Sequence, residues 1–333
     1  MLFFIKLLIV YILSNIINLY IYVSLIITVL LSVAFFTLLE RKVLSSLQRR
    51  RGPNVVGFYG SLQAIADGLK LLNKENITPL MSNHIVFFFS PLLTFSISFM
   101  LWAFIPFNSG LVNIDIDLSL LYFFAISSLN IYGIILGGWG SNSKYSFLGG
   151  LRSSAQFISY EISLGLIILP IILYTGSTNL VDIVNGQENM FYIWVFPLLF
   201  LLCFISLLAE TNRIPFDLPE AESELVSGYN VEYASVLFVL YFLAEYSNII
   251  VMSCLLVCLF FGGWLNPFFF FFLVPSHFWF FFKTLIIMYL FVFIRGILPR
   301  YRYDQLMMLG WKVILPVSFV LSVFSIFLFY VFI

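Results

Sequence analysis

Residues 190–261 read MFYIWVFPLLFLLCFISLLAETNRIPFDLPEAESELVSGYNVEYASVLFVLYFLAEYSNIIVMSCLLVCLFF. The apolar stretches 190–209 and 234–261 are each long enough to cross a ~30 Å hydrocarbon layer as a helix. Between them the chain turns abruptly acidic. This alternation of span and charged connection decides the fold class, and the rest of the chain repeats it. Hydropathy predicts eight spans, near 15–39, 80–105, 118–139, 153–175, 190–209, 234–261, 268–294 and 312–333. Of the 333 residues, 62% are hydrophobic and only 10% charged, and the mean hydropathy is +1.06. Soluble domains carry about 25% charged residues, so a water-soluble globule is excluded. The expected architecture is an all-α, polytopic membrane bundle, one integral domain over residues 1–333 without a soluble domain, linker or internal repeat.

Charge placement tests the topology, because Lys and Arg collect on the side from which the chain inserts. The connections 40–79, 140–152, 210–233 and 295–311, together with Lys312 beside the last of them, hold 14 of the 16 Lys and Arg residues. The opposite connections hold none, and only Lys6 and Lys283 lie elsewhere. The four basic loops are therefore expected to face the cytoplasm or matrix, with both termini on the far side. The start, MLFFIK, runs apolar to Leu39 with no cleavage site or Arg- and Ser-rich presequence. It reads as a retained span, either one long tilted helix or a span preceded by an interfacial piece. Forty-one Phe residues suit a T-rich coding genome, as in an organelle.

Within the first basic loop Gly52-Pro53 signals a turn. Beyond it Leu62, Ile65, Leu69 and Leu72 recur at helical spacing, with Gln63, Asp67, Lys70 and Asn73 on the other face. This predicts a short amphipathic helix at the membrane surface, read as a simple anchor or as something more.

The segment 210–233 carries Glu210, Asp217, Glu220, Glu222, Glu224 and Glu232 against one base, Arg213. It reads either as a solvated face or as a segment folded back on the protein. Pro215 and Pro219 interrupt any helix, and Ile214, Phe216, Leu218 and Leu225 alternate with the acids, which suits carboxylates facing a polar cavity. Glu161 and Glu245 lie inside predicted spans, Glu245 ~16 Å from its start, and Lys283 is similarly deep. A charge at that depth costs at least ~2.5 kcal/mol, so it needs a partner, water or neutralisation. The alternatives are a static Glu–Lys pair or a hydrated proton path through Glu161, Glu245 and the 210–233 acids.

Several chemistries are excluded. Cys203, Cys254 and Cys258 fall inside apolar runs with no C-x-x-C pair, so neither disulfides nor iron–sulfur ligation is expected. His84 and His277 fall in different layers of the predicted topology, and no metal or haem is expected. No phosphate-binding glycine motif is present, no Ser/His/Asp constellation can be assembled, and the balanced charge offers nothing to nucleic acid.

Four strings carry a resemblance: LLERKVLSSLQRRRGPNVVGFYGSLQAIADGLKLLNKE (38–75), LRSSAQFISYEISL (151–164), AETNRIPFDLPEAESELVSGYNVEYASVLFVLYFLAEY (209–246) and IRGILPRYRYDQLMMLGWK (294–312). They resemble the NADH–ubiquinone oxidoreductase chain 1 family, the heel membrane subunit of respiratory complex I. The resemblance implies a multi-pass subunit of the mitochondrial inner membrane, or less readily of a bacterial plasma membrane. It implies ubiquinone as substrate and lipids as neighbours. The expected partners are peripheral-arm quinone-site subunits and small membrane subunits, with flavin and iron–sulfur clusters in other chains and no covalently bound cofactor. By motif, Glu40, Arg41, the Arg50-Arg51-Gly52-Pro53-Asn54 turn and Asp67 would sit at the quinone entrance. Glu210, Arg213, Phe216 and Asp217 would line the inner tunnel, with Glu220, Glu222 and Glu224 at its polar exit. Glu161, Asp217, Glu232 and Glu245 would belong with those glutamates to the proton path, while Arg295, Arg300, Arg302 and Asp304 would close the inside face. No catalytic residue is expected in this chain. The sequence departs from the family at 262–275 and before about residue 18. Rival readings are the heel subunit of a membrane-bound hydrogenase, a stand-alone cation or proton transporter, and a passive anchor.

Overall fold

The computed structural model describes residues 2–110, 112–217, 228–267 and 274–332, with side chains between residues 22 and 327. Its regular elements are helices: α1 (Leu2–Leu47), α2 (Gln63–Leu72), α3 (His84–Met100), α4 (Ser119–Gly140), α5 (Lys144–Thr175), α6 (Leu180–Asn185), α7 (Tyr192–Val195), α8 (Pro197–Glu210), α9 (Ser235–Phe260), α10 (Ser276–Ile297), α11 (Tyr303–Met308) and α12 (Leu315–Phe332). A π turn over Leu309–Ile314 joins α11 to α12.

Among the described residues seven helices are long and apolar enough to cross a membrane: Tyr22–Leu47 of α1, α3 with its 3-10 extension, α4, α5, α9, α10 and the α11–α12 run. The expected span at 190–209 differs. It is broken at Phe196-Pro197 into the single turn α7 and the 14-residue α8, because Pro197 has no N–H with which to continue the preceding helix. At 1.5 Å per residue α8 is ~21 Å long, short of the hydrocarbon thickness, so the count is seven full-length helices and one shorter. The start is settled as one unbroken helix, α1 being 46 residues long. α5 begins at Lys144 rather than near 153, since the Ser143 hydroxyl caps it by accepting from the Ser146 N–H at 3.3 Å.

α9 is the centre of the bundle. Every residue from Ile249 to Phe260 is buried, as expected of a helix that is apolar all round, and α1, α3 and α10 pack around it. α5 carries the other half, against α4, α8 and α12. Close approach depends on glycine: a Cβ on Gly137 of α4 would lie 2.3 Å from the Tyr241 hydroxyl of α9, and one on Gly149 of α5 would lie 2.8 Å from the Gly228 carbonyl carbon. The three cysteines are buried and free.

The connections gather at two ends. At one, Asn142 Nδ2 donates to the Met81 carbonyl at 2.9 Å, Ser235 Oγ to that of Leu71 at 3.2 Å, and the Tyr301 N–H to that of Pro215 at 3.0 Å. At the other, Asn179 Nδ2 donates to Asp115 at 2.7 Å, Ser276 Oγ to Asn108 at 3.0 Å, and Gln187 Nε2 to the Cys258 carbonyl at 2.9 Å. His84 opens α3 at the first end and His277 opens α10 at the second.

Lys283 belongs to the second end, and among the described residues it is not one half of a Glu–Lys pair. Its ammonium donates to the carbonyls of Phe261, Gly263 and Leu265 at 2.7, 3.0 and 2.6 Å and sits 4.8 Å from the Phe191 ring centre. It therefore closes the C-terminal end of α9, where carbonyls lack helical partners and the helix dipole favours a cation. Hydrogen bonds to charged groups contribute ~1.5–3 kcal/mol each. Lys283→Met is expected to lower the thermal denaturation midpoint of the purified protein sharply, with Lys283→Gln intermediate; equal midpoints for the three proteins would remove this role.

Candidate functional site

Glu40 lies near the C-terminal end of α1 and is buried. It ion-pairs with Arg295 of α10 and with Arg213 Nη1 at 3.5 Å, and it accepts a hydrogen bond from the Tyr246 hydroxyl of α9. The Arg213 guanidinium also lies over the Tyr246 ring, 4.3 Å from its centre. A carboxylate removed from water is tolerated only with this kind of multiple compensation. The cluster ties together α1, α9, α10 and the connection after α8.

The described part of that connection, residues 211–217, is folded back on the protein. Gln156 Nε2 of α5 donates to the carbonyls of Ala209 and Phe216 at 2.8 and 3.1 Å. Phe216 is buried and stacks on Tyr301, ring centres 5.8 Å apart. Asp217 follows, with Arg300 Nη2 at 3.9 Å. Burial raises the Asp217 carboxyl from 3.8 to about 6 despite the opposing pull of Arg213, Arg295 and Arg300, and nearby Glu245 adds to the rise.

These groups enclose a cavity of about 570 Å³, within the range of small-molecule sites. Its charged lining consists of Glu40, Arg41, Arg213, Asp217, Glu245, Arg295 and Arg300, with Asn230 beside them in the lining. Leu44, Phe238, Phe242 and the Tyr246 ring supply its apolar lining. Among the described residues that line it there is no nucleophile–base pair. The chamber suits a ligand with a polar carbonyl-bearing head and an apolar body.

A second cavity, of about 440 Å³, opens on the turn after α1 and is lined by Lys42, Ser45, Arg51, Gly52, Pro53, Asn54 and Tyr59. Lys42 Nζ donates to the Tyr59 carbonyl at 2.8 Å and shapes this turn, while Arg50 is exposed beside it. α2 has no buried residue. Asp67 on α2 accepts from Arg41 at 2.6 Å and from Gln63 at 2.9 Å, and Leu62, Ile65, Leu69 and Leu72 are more than half exposed. A third, small cavity of about 20 Å³ has Glu210 and Glu245 among its lining residues. Glu245, which accepts from the Tyr229 hydroxyl at 2.9 Å, therefore borders both the large chamber and this crevice. Glu161 on α5 lies close enough to Glu210 for mutual repulsion.

The structure thus separates residues that the sequence groups together. Glu210 lines the crevice and not the large chamber, although Arg213 is only three residues on. Phe216 is packed behind the chamber wall and does not line it. Arg302 and Asp304 form an exposed pair at 3.6 Å, outside the chamber that Arg295 and Arg300 enter. Glu232 is half-buried and lines none of the three cavities. Glu220, Glu222 and Glu224 lie outside the described residues. The neutral members, Asn130, Tyr229, Asn230, Tyr241, Tyr246 and Asn248, do not stand out in the sequence. Asn130 and Asn248 inside spans are the available signal, since a buried amide also needs partners.

The sequence profile of the NADH dehydrogenase family matches residues 20–326. The chain belongs to the NADH dehydrogenase family. It is 52% identical over 299 residues to the NADH-ubiquinone oxidoreductase chain 1 of Chondrus crispus, covering 89% of this chain and 91% of that one. Against the Arabidopsis thaliana protein of the same name it is 53% identical over 298 residues, 89% and 91% of the two chains. It is also 52% identical over 297 residues to an NADH-quinone oxidoreductase subunit of Paramagnetospirillum magneticum, 89% and 87% of the two. All the motif strings quoted above fall inside the region matched by the NADH dehydrogenase profile.

Because the Asp217 carboxyl is raised to about 6, it is neutral below that pH and ionised, facing Arg300, above it. Ligand affinity in the chamber is expected to carry a titration near pH 6 that Asp217→Asn removes. A profile unchanged in Asp217→Asn would assign the titration to another group.

Proposed function

We propose that this chain is the heel membrane subunit of a proton-pumping NADH:ubiquinone oxidoreductase, and that its large chamber receives ubiquinone on the way to reduction. The observation that carries this reading is the chamber itself: Glu40, Arg213 and Arg295 line it together with Leu44, Phe238 and Phe242, and Glu245 borders both chamber and crevice. The arginines suit the quinone carbonyls and the rings suit the isoprenoid body. The turn at 50–54 and the exposed apolar face of α2 suit an entrance at the membrane surface, with Arg41–Asp67 linking α2 to α1.

Electrons would come from flavin and iron–sulfur clusters held by peripheral-arm subunits, which with small membrane subunits and lipids are the partners of this reading. A quinone that gains two electrons takes up two protons. At an effective dielectric of ~20 a unit charge 4 Å away is worth ~4 kcal/mol, roughly three pH units in a neighbouring carboxyl. Asp217 and Glu245 thus sense the charge on the bound head, and the order Asp217, Glu245, Glu210, Glu161 gives a route for redistributing protons. Glu220, Glu222, Glu224 and Glu232 belong to the same proposal by motif. The basic loops would face the mitochondrial matrix, a reading that the Phe-rich composition supports over a bacterial membrane.

In the assembled complex, Arg295→Met is expected to raise the KM for ubiquinone about tenfold or more, since one lost charge-assisted bond is worth ~1.5–3 kcal/mol. Glu245→Gln should lower the protons moved per NADH while quinone reduction persists. Full pumping in Glu245→Gln with normal kinetics in Arg295→Met would overturn the proposal.

A further inference from the structure

Two helices supply much of the large chamber's lining, and α2 joins them without lining it itself. Thr37, Arg41 and Leu44 come from α1, and Phe238, Phe242 and Tyr246 from α9. Deeper in, α1 and α9 touch where the Phe36 and Tyr246 rings meet edge-on, centres 5.7 Å apart. Toward the membrane surface α2 packs on both, and its two attachments are unequal. At α9 the Ser235 hydroxyl is shared by the carbonyls of Leu71 at 3.2 Å and Lys74 at 2.5 Å, and the Val236 N–H donates to Asn76 Oδ1 at 3.3 Å. Ser235 is buried with φ at +59°, a left-handed conformation that a serine keeps only where the surrounding structure fixes it. This end is a pin.

At α1 the charged tie is one ion pair among the described residues, Arg41 Nη1 to Asp67 Oδ2 at 2.6 Å, with Gln63 Nε2 holding the other carboxylate oxygen at 2.9 Å. Arg41 is 51% and Asp67 36% exposed, so the pair is weak and screened by salt. Lys42 holds only the turn before α2, through the Tyr59 carbonyl. Between pin and pair lies Gly68, where a Cβ would meet nothing within 4 Å. Packing does not ask for glycine there, and inside a helix it is less stable than alanine. We propose that α2 is a strap across the opening between α1 and α9, and that Asp67 is its latch, a positioning residue that acts through Arg41. With the pair made, α2 ties the two helices together and shields the chamber. With the pair broken, α2 swings about the Ser235 pin and the chamber opens to the membrane surface. The latch rests on the reading of the chamber as a ligand site, but not on which ligand enters, and it operates without one.

The test uses the purified, assembled complex without NADH or quinone. Thr37→Cys places a thiol in the chamber lining, and its rate of labelling by a water-soluble maleimide, read by mass spectrometry of this chain, reports opening. The native Cys203, Cys254 and Cys258 are buried and serve as the unlabelled reference. At low salt, adding Asp67→Asn should speed labelling about threefold to fivefold, and Asp67→Glu in its place should keep the slow rate. With Asp67 present, raising the salt from about 0.01 M to about 0.15 M should speed labelling about twofold, an effect that Asp67→Asn removes. Equal rates with and without Asp67→Asn, or a rate in the Thr37→Cys protein that ignores salt, would overturn the proposal and leave α2 a fixed interfacial anchor. The salt arm decides the matter even if Asp67→Asn does not assemble. A chamber that opens in this way yet binds no ubiquinone would defeat the functional reading and leave the latch standing.

Discussion

The buried carboxylate of Glu40 constrains the organisation of the membrane end where the basic loops gather. An unpaired charge there would be prohibitive, and the groups that compensate it come from three separate regions of the chain: Arg213 after α8, Tyr246 on α9 and Arg295 on α10. Meeting at one carboxylate holds three helices apart by the length of their polar side chains, and this leaves the chamber open. The interaction that stabilises this end of the bundle is thus also the one that excludes close apolar packing from it.

The connection after α8 supplies the second constraint. Gln156 holds it at Ala209 and Phe216, which fixes Arg213 and Asp217 on the chamber side while Glu210, at the end of α8, stays on the crevice side. A short α8, cut by Pro197, brings the acids at its end into the protein and not to the solvent. Glu245 is then the one carboxylate among the described residues bordering both spaces. Its position on the central helix, at the border of both spaces, makes it the natural point of electrical contact between them.

Much of this is legible in the sequence. The class, the long spans, the amphipathic segment over Leu62–Leu72 and the unusual 210–233 stretch follow from apolar run length, period and charge. The break inside 190–209 does not, because a hydropathy window averages over Pro197. The role of Lys283 is also hidden: a lysine in a span suggests an acidic partner, and its actual partners are backbone carbonyls that no sequence pattern marks. Asn130, Asn248 and Tyr246 escape notice for a related reason, since one neutral polar side chain is averaged away among apolar neighbours in a hydropathy window and reveals its demand for partners only when its neighbours are known. The separation of Glu210 from Arg213 depends on where α8 ends, the least legible feature of any helix.

The functional reading stands on quinone occupying the space lined by Glu40, Arg213, Arg295, Phe238 and Phe242. Photolabelling of the assembled membrane complex with an azido-ubiquinone, followed by peptide mapping, probes that occupancy without an intervening assumption about pumping. Label is expected on the α9 segment around Phe238–Tyr246 or on α1 around Thr37–Leu44, displaced by excess ubiquinone. Displaceable label confined to helices remote from this chamber, such as α4 or α12, would contradict it.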